Sequence, residues 1–127
     1  MGKLVIFFSL FGLYLLYSVI VYTKGTDCIV SIPVEEQSKT NRGKALFQQN
    51  NCIACHQLYG LGGYLGPELT NAYSDNNRGE LYMRAFLKTG GARMPVFHFT
   101  DEEIDAIISY LKYVDATAVP YKNLSKK

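Results

Sequence analysis

Two cysteines and a histidine stand together near the middle of the chain, in the segment Cys-Ile-Ala-Cys-His at 52–56. Thiols separated by two residues can bind zinc, cycle as a redox disulfide or attach a haem. Cys-x-x-Cys-His is the attachment signature of c-type haem. In that chemistry Cys52 and Cys55 each add to one vinyl group, and the imidazole of His56 binds the iron.

The two rival chemistries lack the residues that they need. A structural zinc site takes four ligands, usually from two paired clusters, and the chain has no second Cys-x-x-Cys. Beyond the pair and His56, only Cys28 and His98 could contribute. A thioredoxin-like disulfide belongs at the start of a helix that follows a strand, and no such strand precedes Cys52. Covalent haem is therefore the favoured interpretation.

Further residues are placed to complete a haem site. Pro67 lies in a glycine-rich loop eleven residues after His56, where a backbone carbonyl can accept the Nδ1–H and fix the ring. Met94 lies in a proline-containing loop, and Met/His coordination raises the haem potential. His98 is the alternative second ligand and would give a lower potential, although a surface or interface position is favoured for it. Met83 is expected to pack in the core.

Three helices are predicted to position these residues, separated by loops. Thr40 or Asn41 is expected to cap the first, and Thr100 forms a capping box with Glu103 at the start of the third. No run of strand alternation appears, so the predicted class is all-α. Such short helices make a thin core, which a large apolar cofactor at the centre would complete. The predicted helices run over about 40–50, over 79–88 and from 100 onward.

An apolar run without a charge occupies residues 4–22, flanked by Lys3 and Lys24. At about 1.5 Å per residue these roughly 19 residues span about 28 Å, close to the hydrocarbon thickness of a bilayer. The run is too long for a signal peptide, and no small-residue cleavage motif follows it. We expect a single N-terminal transmembrane helix. The predicted divisions are an anchor at 1–24, a linker at 25–39, a haem domain at 40–117 and a tail at 118–127.

The net charge of the chain and its third cysteine, Cys28, say less about function. The net charge is +2 and no Lys/Arg cluster follows a helix face, so nucleic-acid binding has no support. Cys28 has no intrachain partner once Cys52 and Cys55 carry haem. A free thiol is expected there, with acylation near the membrane as the alternative.

From Arg42 to Val114 the sequence resembles class I cytochromes c, with the haem motif, proline loop and methionine loop between an N-terminal and a C-terminal helix. Gly43 and Phe47 match the small and aromatic positions of that family's first helix, where the glycine lets the C-terminal helix cross closely. Three segments are further similar to the membrane-anchored cytochrome c subunits of nitric oxide reductases. These are GLGGYLGPEL at 60–69, ARMPVF at 92–97 and FTDEEIDAIISYLKYV at 99–114.

This resemblance implies a non-catalytic electron-transfer subunit with one covalent haem c. A soluble periplasmic cytochrome c or copper protein would supply electrons, and an integral-membrane catalytic subunit with b-type haems would use them to reduce NO to N2O. The alternatives are a subunit of a haem–copper oxygen reductase and a free-standing membrane-tethered shuttle. Because thioether formation occurs outside the cytoplasm, the haem domain is expected on the periplasmic side of the inner membrane and the N-terminus in the cytoplasm.

The resemblance also implies a calcium ion at the subunit interface, with backbone carbonyls of Gly62 and Tyr64 as its ligands. Leu61 departs from the family, which often has an acidic residue there. Tyr64, Tyr73 and Arg93 are the candidates to hydrogen-bond the haem propionates.

Overall fold

The computed structural model describes residues 2–24 and 32–118, which belong to two separate units. Cys28 and the rest of residues 25–31 in the predicted linker, together with residues 119–127 of the predicted tail, lie outside the described residues. The first unit contains helix α1 (Gly2–Lys24). The helices of the second unit are α2 (Val34–Gln49), α3 (Gly79–Thr89) and α4 (Asp101–Thr117). The predicted all-α class is confirmed.

Short elements join α2 to α3. A 3-10 turn (Cys52–Ala54) is followed by an antiparallel hairpin of two-residue strands. The strands are β1 (Gln57–Leu58) and β2 (Leu61–Gly62), with Gln57 opposite Gly62 and Leu58 opposite Leu61. Strands of this length are too short to show alternation in a sequence.

Helix α1 has the length and composition of a membrane span. Its 23 residues rise about 35 Å, and it buries none of its described residues within the structure. Large side chains such as Phe8, Leu10 and Tyr14 are exposed. Because so continuous an apolar surface is unfavourable in water, α1 is a candidate membrane helix, as the sequence predicts.

Helix α2 begins earlier than the sequence predicts. Its first residue is Val34, so the prediction that Thr40 or Asn41 caps it is wrong. Pro33 has φ −54° and leads directly into the helix, and two glutamates in the first turn suit the positive end of the helix dipole. Residues 34–39, predicted as linker, therefore form the first turns of the domain.

The crossing of α2 and α4 forms the centre of the domain. A Cβ on Gly43 would lie 1.9 Å from the carbonyl oxygen of Ala106, so only glycine fits this contact. One turn later the ring of Phe47 packs against Tyr110, with centroids 5.6 Å apart. The close crossing predicted from Gly43 is confirmed. Helix α4 supplies most of the buried hydrophobic residues of the described core: Ile104, Ala106, Ile107, Ile108, Leu111 and Val114.

The start of α4 is capped as the sequence predicts. The hydroxyl of Thr100 accepts a hydrogen bond from the Glu103 backbone N–H at 3.3 Å, and the Glu103 carboxylate accepts one from the Thr100 N–H at 3.0 Å. This capping box fixes where the methionine loop ends and α4 begins.

Thr40 lies on the buried face of α2, and its hydroxyl has no hydrogen-bond partner among the described residues. Burying an unpaired hydroxyl costs about 1–3 kcal/mol. Thr40→Val is therefore expected to raise the free energy of unfolding by about 1 kcal/mol in urea denaturation. Thr70→Val is the matched control, because the equally buried Thr70 hydroxyl accepts a hydrogen bond from Tyr59 N–H at 2.6 Å. That control should lose stability, and a loss in Thr40→Val as well would contradict the prediction.

Asp105 of α4 joins the three helices of the domain. It pairs with Arg84 of α3 at 2.6 Å and with Lys39 of α2 at 3.7 Å. The hydrogen bond from Arg84 and the charge of Lys39 lower the pKa of Asp105 below its ordinary value. The resulting stability is present above the unfolded-state pKa of about 3.9 and is lost as the pH falls through the lower native pKa.

We therefore expect Asp105→Asn to unfold at lower urea than the wild type at pH 6, and the difference to vanish towards pH 2. The measurement is the urea midpoint across that pH range. Adding Arg84→Gln to Asp105→Asn should change the pH dependence no further. If the difference in urea midpoint between Asp105→Asn and the wild type stays constant down to pH 2, the Asp105 charge is not the source of that difference.

Candidate cofactor site

A cavity of about 490 Å³ brings together the residues that the sequence predicts to do chemistry. Cys52, Cys55, His56 and Met94 all line it. The size is within the range of roughly 300–1,000 Å³ that is usual for cofactor and ligand pockets. Apolar side chains make up most of the wall: Leu65, Leu69, Ala72, Met83, Leu87, Phe97 and Leu111.

The 3-10 turn places both thiols on the cavity wall. Asn51 enters the turn with φ +51°, and the N–H of His56 donates to the Cys52 carbonyl at 3.0 Å. Both cysteines are free and half-buried. Burial raises the pKa of the Cys52 thiol above its ordinary value. Among the described residues no group of three or more His, Cys, Asp or Glu side chains could hold a metal, so zinc gains no support.

His56 is fixed by the proline loop. Its Nδ1 lies 2.8 Å from the carbonyl oxygen of Pro67, where the sequence predicts a hydrogen bond. Because a carbonyl only accepts, Nδ1 carries the proton and Nε2 keeps the lone pair that can bind a metal. Gly66 makes this approach possible, since a Cβ there would lie 2.5 Å from the imidazole Cε1. The Gly66 N–H donates to the Cys55 carbonyl at 2.8 Å, which ties the loop to the motif.

The last turn of α4 holds the loops that follow the motif. The hydroxyl of Tyr59, at the tip of the hairpin, lies 2.6 Å from the Thr117 hydroxyl. Asp115 accepts hydrogen bonds from the Asn71 side chain at 2.9 Å and from the Ser74 N–H at 2.6 Å. These contacts anchor both sides of the proline loop to the core.

Met94 is held in a tight turn between α3 and α4. The N–H of Gly91 donates to the Met94 carbonyl at 2.9 Å, and the Met94 N–H donates back at 3.2 Å. Gly90 has φ +69°, and a Cβ there would lie 2.8 Å from the Met94 carbonyl oxygen. His98 is exposed and does not line the cavity, whereas Met94 does, and the binding of Met94 to an iron stays a prediction. Met83 is buried in α3, as expected of a packing residue, and also contacts the cavity.

The predicted propionate partners separate into two groups. Arg93 lines the cavity, in the methionine loop. Tyr64 lies outside the lining with 87% of its surface exposed, and the hydroxyl of Tyr73 donates to Glu80 at 3.5 Å. Their roles in propionate binding stay predictions.

The predicted calcium contacts lie at the outer edge of the hairpin. Gly62 has φ +128°, and a Cβ there would lie 2.2 Å from the His56 carbonyl oxygen. Gly62 and the neighbouring Leu61 are exposed, and so is Tyr64. Calcium binding through the carbonyls of Gly62 and Tyr64 therefore stays a prediction, at a position that a partner could reach.

One charged residue of the cavity wall, Arg78, is not among the site residues predicted from the sequence. It immediately precedes α3 and is, with Arg93, one of two charged side chains in the lining. Its Nε donates to Asp75 at 2.7 Å and its Nη1 donates to the Glu68 carbonyl at 2.8 Å. The Asp-x-x-Arg spacing just before a predicted helix is a sequence signal for the contact between Asp75 and Arg78, but it does not place Arg78 in the cavity wall.

The residues of this cavity fit a c-type haem. Two thiols, an imidazole with a free Nε2 and a thioether are the donor set that such a haem uses. The apolar wall suits a large ring, and the two guanidinium groups suit its carboxylates. Gly66 and Gly90 leave no room for a side chain beside His56 and beside the Met94 backbone, respectively.

Comparison with known proteins gives a family match. The cytochrome c family model matches residues 40–115, more than half of the chain. The nitric oxide reductase subunit designated C in Halomonas halodenitrificans is 38% identical over 85 residues, covering 58% of this chain and 57% of that protein. Its counterpart in Stutzerimonas stutzeri is 33% identical over 81 residues, covering 57% of this chain and 56% of that protein.

A relative of another kind is also similar. Cytochrome c oxidase subunit 2 of Alkalihalophilus pseudofirmus is 35% identical over 98 residues, covering 65% of this chain and 28% of that protein. The chain thus matches a little over half the length of the two nitric oxide reductase relatives and a smaller share of the oxidase protein.

Proposed function

This chain belongs to the cytochrome c family, and we propose that it is a membrane-anchored mono-haem subunit that delivers electrons to the catalytic subunit of a nitric oxide reductase. The observation that carries the haem is the convergence of Cys52, Cys55, His56 and Met94 on one cavity. The similarity to the two nitric oxide reductase relatives supports the choice of complex.

Each of the four residues has its own role in the proposed site. Cys52 and Cys55 would hold the haem through thioether bonds, in which each sulfur bonds to one carbon of a vinyl group and the thiol proton goes to the other carbon. His56 would bind the iron through Nε2, because the Pro67 carbonyl holds the proton on Nδ1. Met94 supplies a soft sulfur that raises the reduction potential. When bound, the haem supplies a one-electron Fe(II)/Fe(III) couple.

If His56 and Met94 both bind the iron of a haem, they would leave no iron position for NO. The chain's part is therefore to accept and pass on single electrons, and the reduction of NO to N2O belongs to the partner. That partner is an integral-membrane protein with b-type haems, and the donor is a soluble periplasmic cytochrome c or copper protein. Calcium bound by the Gly62 and Tyr64 carbonyls would lie at the interface with the partner.

Helix α1 gives the proposed complex its location. A membrane span keeps the haem domain near an integral-membrane acceptor and raises its effective concentration there. Because the thioether bonds form outside the cytoplasm, the domain faces the periplasm and the N-terminus lies on the cytoplasmic side of the inner membrane.

A second candidate function is supported by the similarity to cytochrome c oxidase subunit 2. In that case the chain would serve a haem–copper oxygen reductase with the same cavity and ligands. A free-standing tethered shuttle is the third arrangement, in which α1 alone holds the chain at the membrane.

The test is to purify the intact membrane complex through a C-terminal tag and to measure its metals and haems. We expect covalent haem c that resists acid–acetone extraction, together with extractable b-type haems and non-haem iron. Copper in place of non-haem iron would select the oxygen reductase, and a chain that purifies alone would select the shuttle. Complete extraction of the pigment would overturn the haem assignment itself.

A further inference from the structure

The cavity wall contains a cation that is already fixed in place. We propose that Arg78 binds a propionate carboxylate of the haem and that Asp75, by holding Arg78, sets how strongly that positive charge acts on the iron. The inference rests on the proposed haem binding and goes beyond it, because it assigns the carboxylate contact and its effect on the reduction potential.

The hydrogen bonds of Arg78 fix the guanidinium without using all of its donors. Asp75 accepts from Nε and the Glu68 carbonyl accepts from Nη1, so two of about five N–H donors are occupied. The side chain is only 28% exposed. A half-buried guanidinium that lines a cavity with free N–H groups is suited to bind a carboxylate there.

If the cavity holds a haem, the propionate carboxylates of that haem need a cation as a partner. The cavity wall is mostly apolar, and an ionised carboxylate inside it would be unfavourable without a cation or hydrogen bonds. No acidic side chain lines the described cavity, so nothing there competes for the guanidinium from inside. The Glu68 backbone carbonyl and Asp75 bind it from outside the lining.

Arg78 is better placed for this contact than the residues predicted from sequence. Arg93 also lines the cavity, but it is exposed and no fixing partner holds it in the described structure. The Tyr64 side chain lies outside the lining, and Tyr73 does as well. Among these propionate candidates in the described part of the chain, only Arg78 combines a position in the wall with partners that orient it.

Asp75 is the carboxylate that accepts a hydrogen bond from Arg78 and holds it in place. Hydrogen bonds from the Asn77 N–H and from Arg78 lower the pKa of Asp75, so this carboxylate is ionised at neutral pH. Its negative charge partly cancels that of Arg78. A positive charge near the iron favours Fe(II), and a negative charge favours Fe(III). The two residues should therefore shift the reduction potential in opposite directions.

The test compares Arg78→Gln, Asp75→Asn and a control, Arg84→Gln, in the full-length chain. Arg84 is also a guanidinium held by carboxylates, but it faces Asp105 and Glu80 and does not line the cavity. The first measurement is the reduction potential of each variant. The second is the reduced-minus-oxidised infrared spectrum of protein whose haem carries ¹³C in the propionate carboxyls.

We expect Arg78→Gln to shift the one-electron equilibrium about tenfold towards Fe(III), which corresponds to about 59 mV. Asp75→Asn should shift it about threefold towards Fe(II), and Arg84→Gln should leave it unchanged. The ¹³C-sensitive carboxylate band should move in Arg78→Gln and stay in place in Arg84→Gln.

Two outcomes overturn the inference. If Arg78→Gln and Asp75→Asn shift the potential in the same direction, the pair only stabilises the turn at 75–78, because either change breaks the same contact. If the carboxylate band does not move in Arg78→Gln, the propionate binds elsewhere. Covalent haem content is measured first in the wild type, so its absence would count against the proposed function and not against Arg78.

Discussion

Replacing Met94 by leucine is expected to lower the reduction potential by on the order of 0.1 V, within the roughly 0.8 V range that axial ligands control. Leucine has a similar volume and keeps the cavity apolar, but it has no sulfur to bind iron. The loss of the thioether removes the ligand that favours Fe(II). The reduced variant should also bind carbon monoxide, which the wild type should exclude.

Two matched variants make this result specific. Met83→Leu removes the other methionine of the cavity and should change neither the potential nor the absorption band of the ferric iron–thioether bond. His98→Gln removes the rival ligand and should likewise have no effect. If His98→Gln abolishes six-coordination while Met94→Leu keeps the wild-type spectrum, the assignment of the second ligand is wrong. Optical titration with a redox mediator gives the potential, and carbon monoxide difference spectra report the open position.

Gly43→Ala should lower the free energy of unfolding by about 3 kcal/mol. The added Cβ would lie 1.9 Å from the Ala106 carbonyl oxygen and 2.5 Å from its carbon, and backbone atoms in a helix cannot move aside. Alanine favours a helix by about 1 kcal/mol over glycine, so a measured loss understates the clash. The measurement is urea denaturation followed by circular dichroism.

The neighbouring exposed residue gives the control for this experiment. Lys44→Ala changes the same helix without adding an atom to the crossing, and its stability should stay within about 0.5 kcal/mol of the wild type. Adding Ala106→Gly to Gly43→Ala should not restore stability, because the clash is with the backbone of residue 106 and not with its side chain. Wild-type stability in Gly43→Ala would show that α2 and α4 lie too far apart for this contact.

The two halves of α2 show why some of the fold was predictable and some was not. Its second half carries Gly43 and Phe47 at helical spacing, so the helix and its crossing with α4 could be predicted. Its first turns are polar, without apolar spacing, and look like a linker. In the structure ion pairs connect them to α4, Lys39 to Asp105 and Glu36 to Lys112. Such pairs depend on a distant helix and leave no periodic pattern.

The cofactor site also has features that could be predicted from the sequence and features that could not. The hydrogen bond between His56 and Pro67 could be predicted, because a glycine-rich loop soon after the motif has to return close to the imidazole. Arg78 could not, because its place in the wall depends on how residues 68–78 fold against Asp115 and the Glu68 carbonyl. Tyr64 was a predicted partner of the haem, yet its side chain is exposed.

The sequence alone determined the chemistry of this protein: the thiols, imidazole and thioether, their order along the chain, and an apolar helix long enough to span a membrane. These are local properties, fixed by residue type and by short spacing. Tertiary structure decided where α2 begins, that Arg78 joins Arg93 in the cavity wall, and how closely two helices cross. Those outcomes depend on contacts between residues far apart in the chain, which only the folded path brings together.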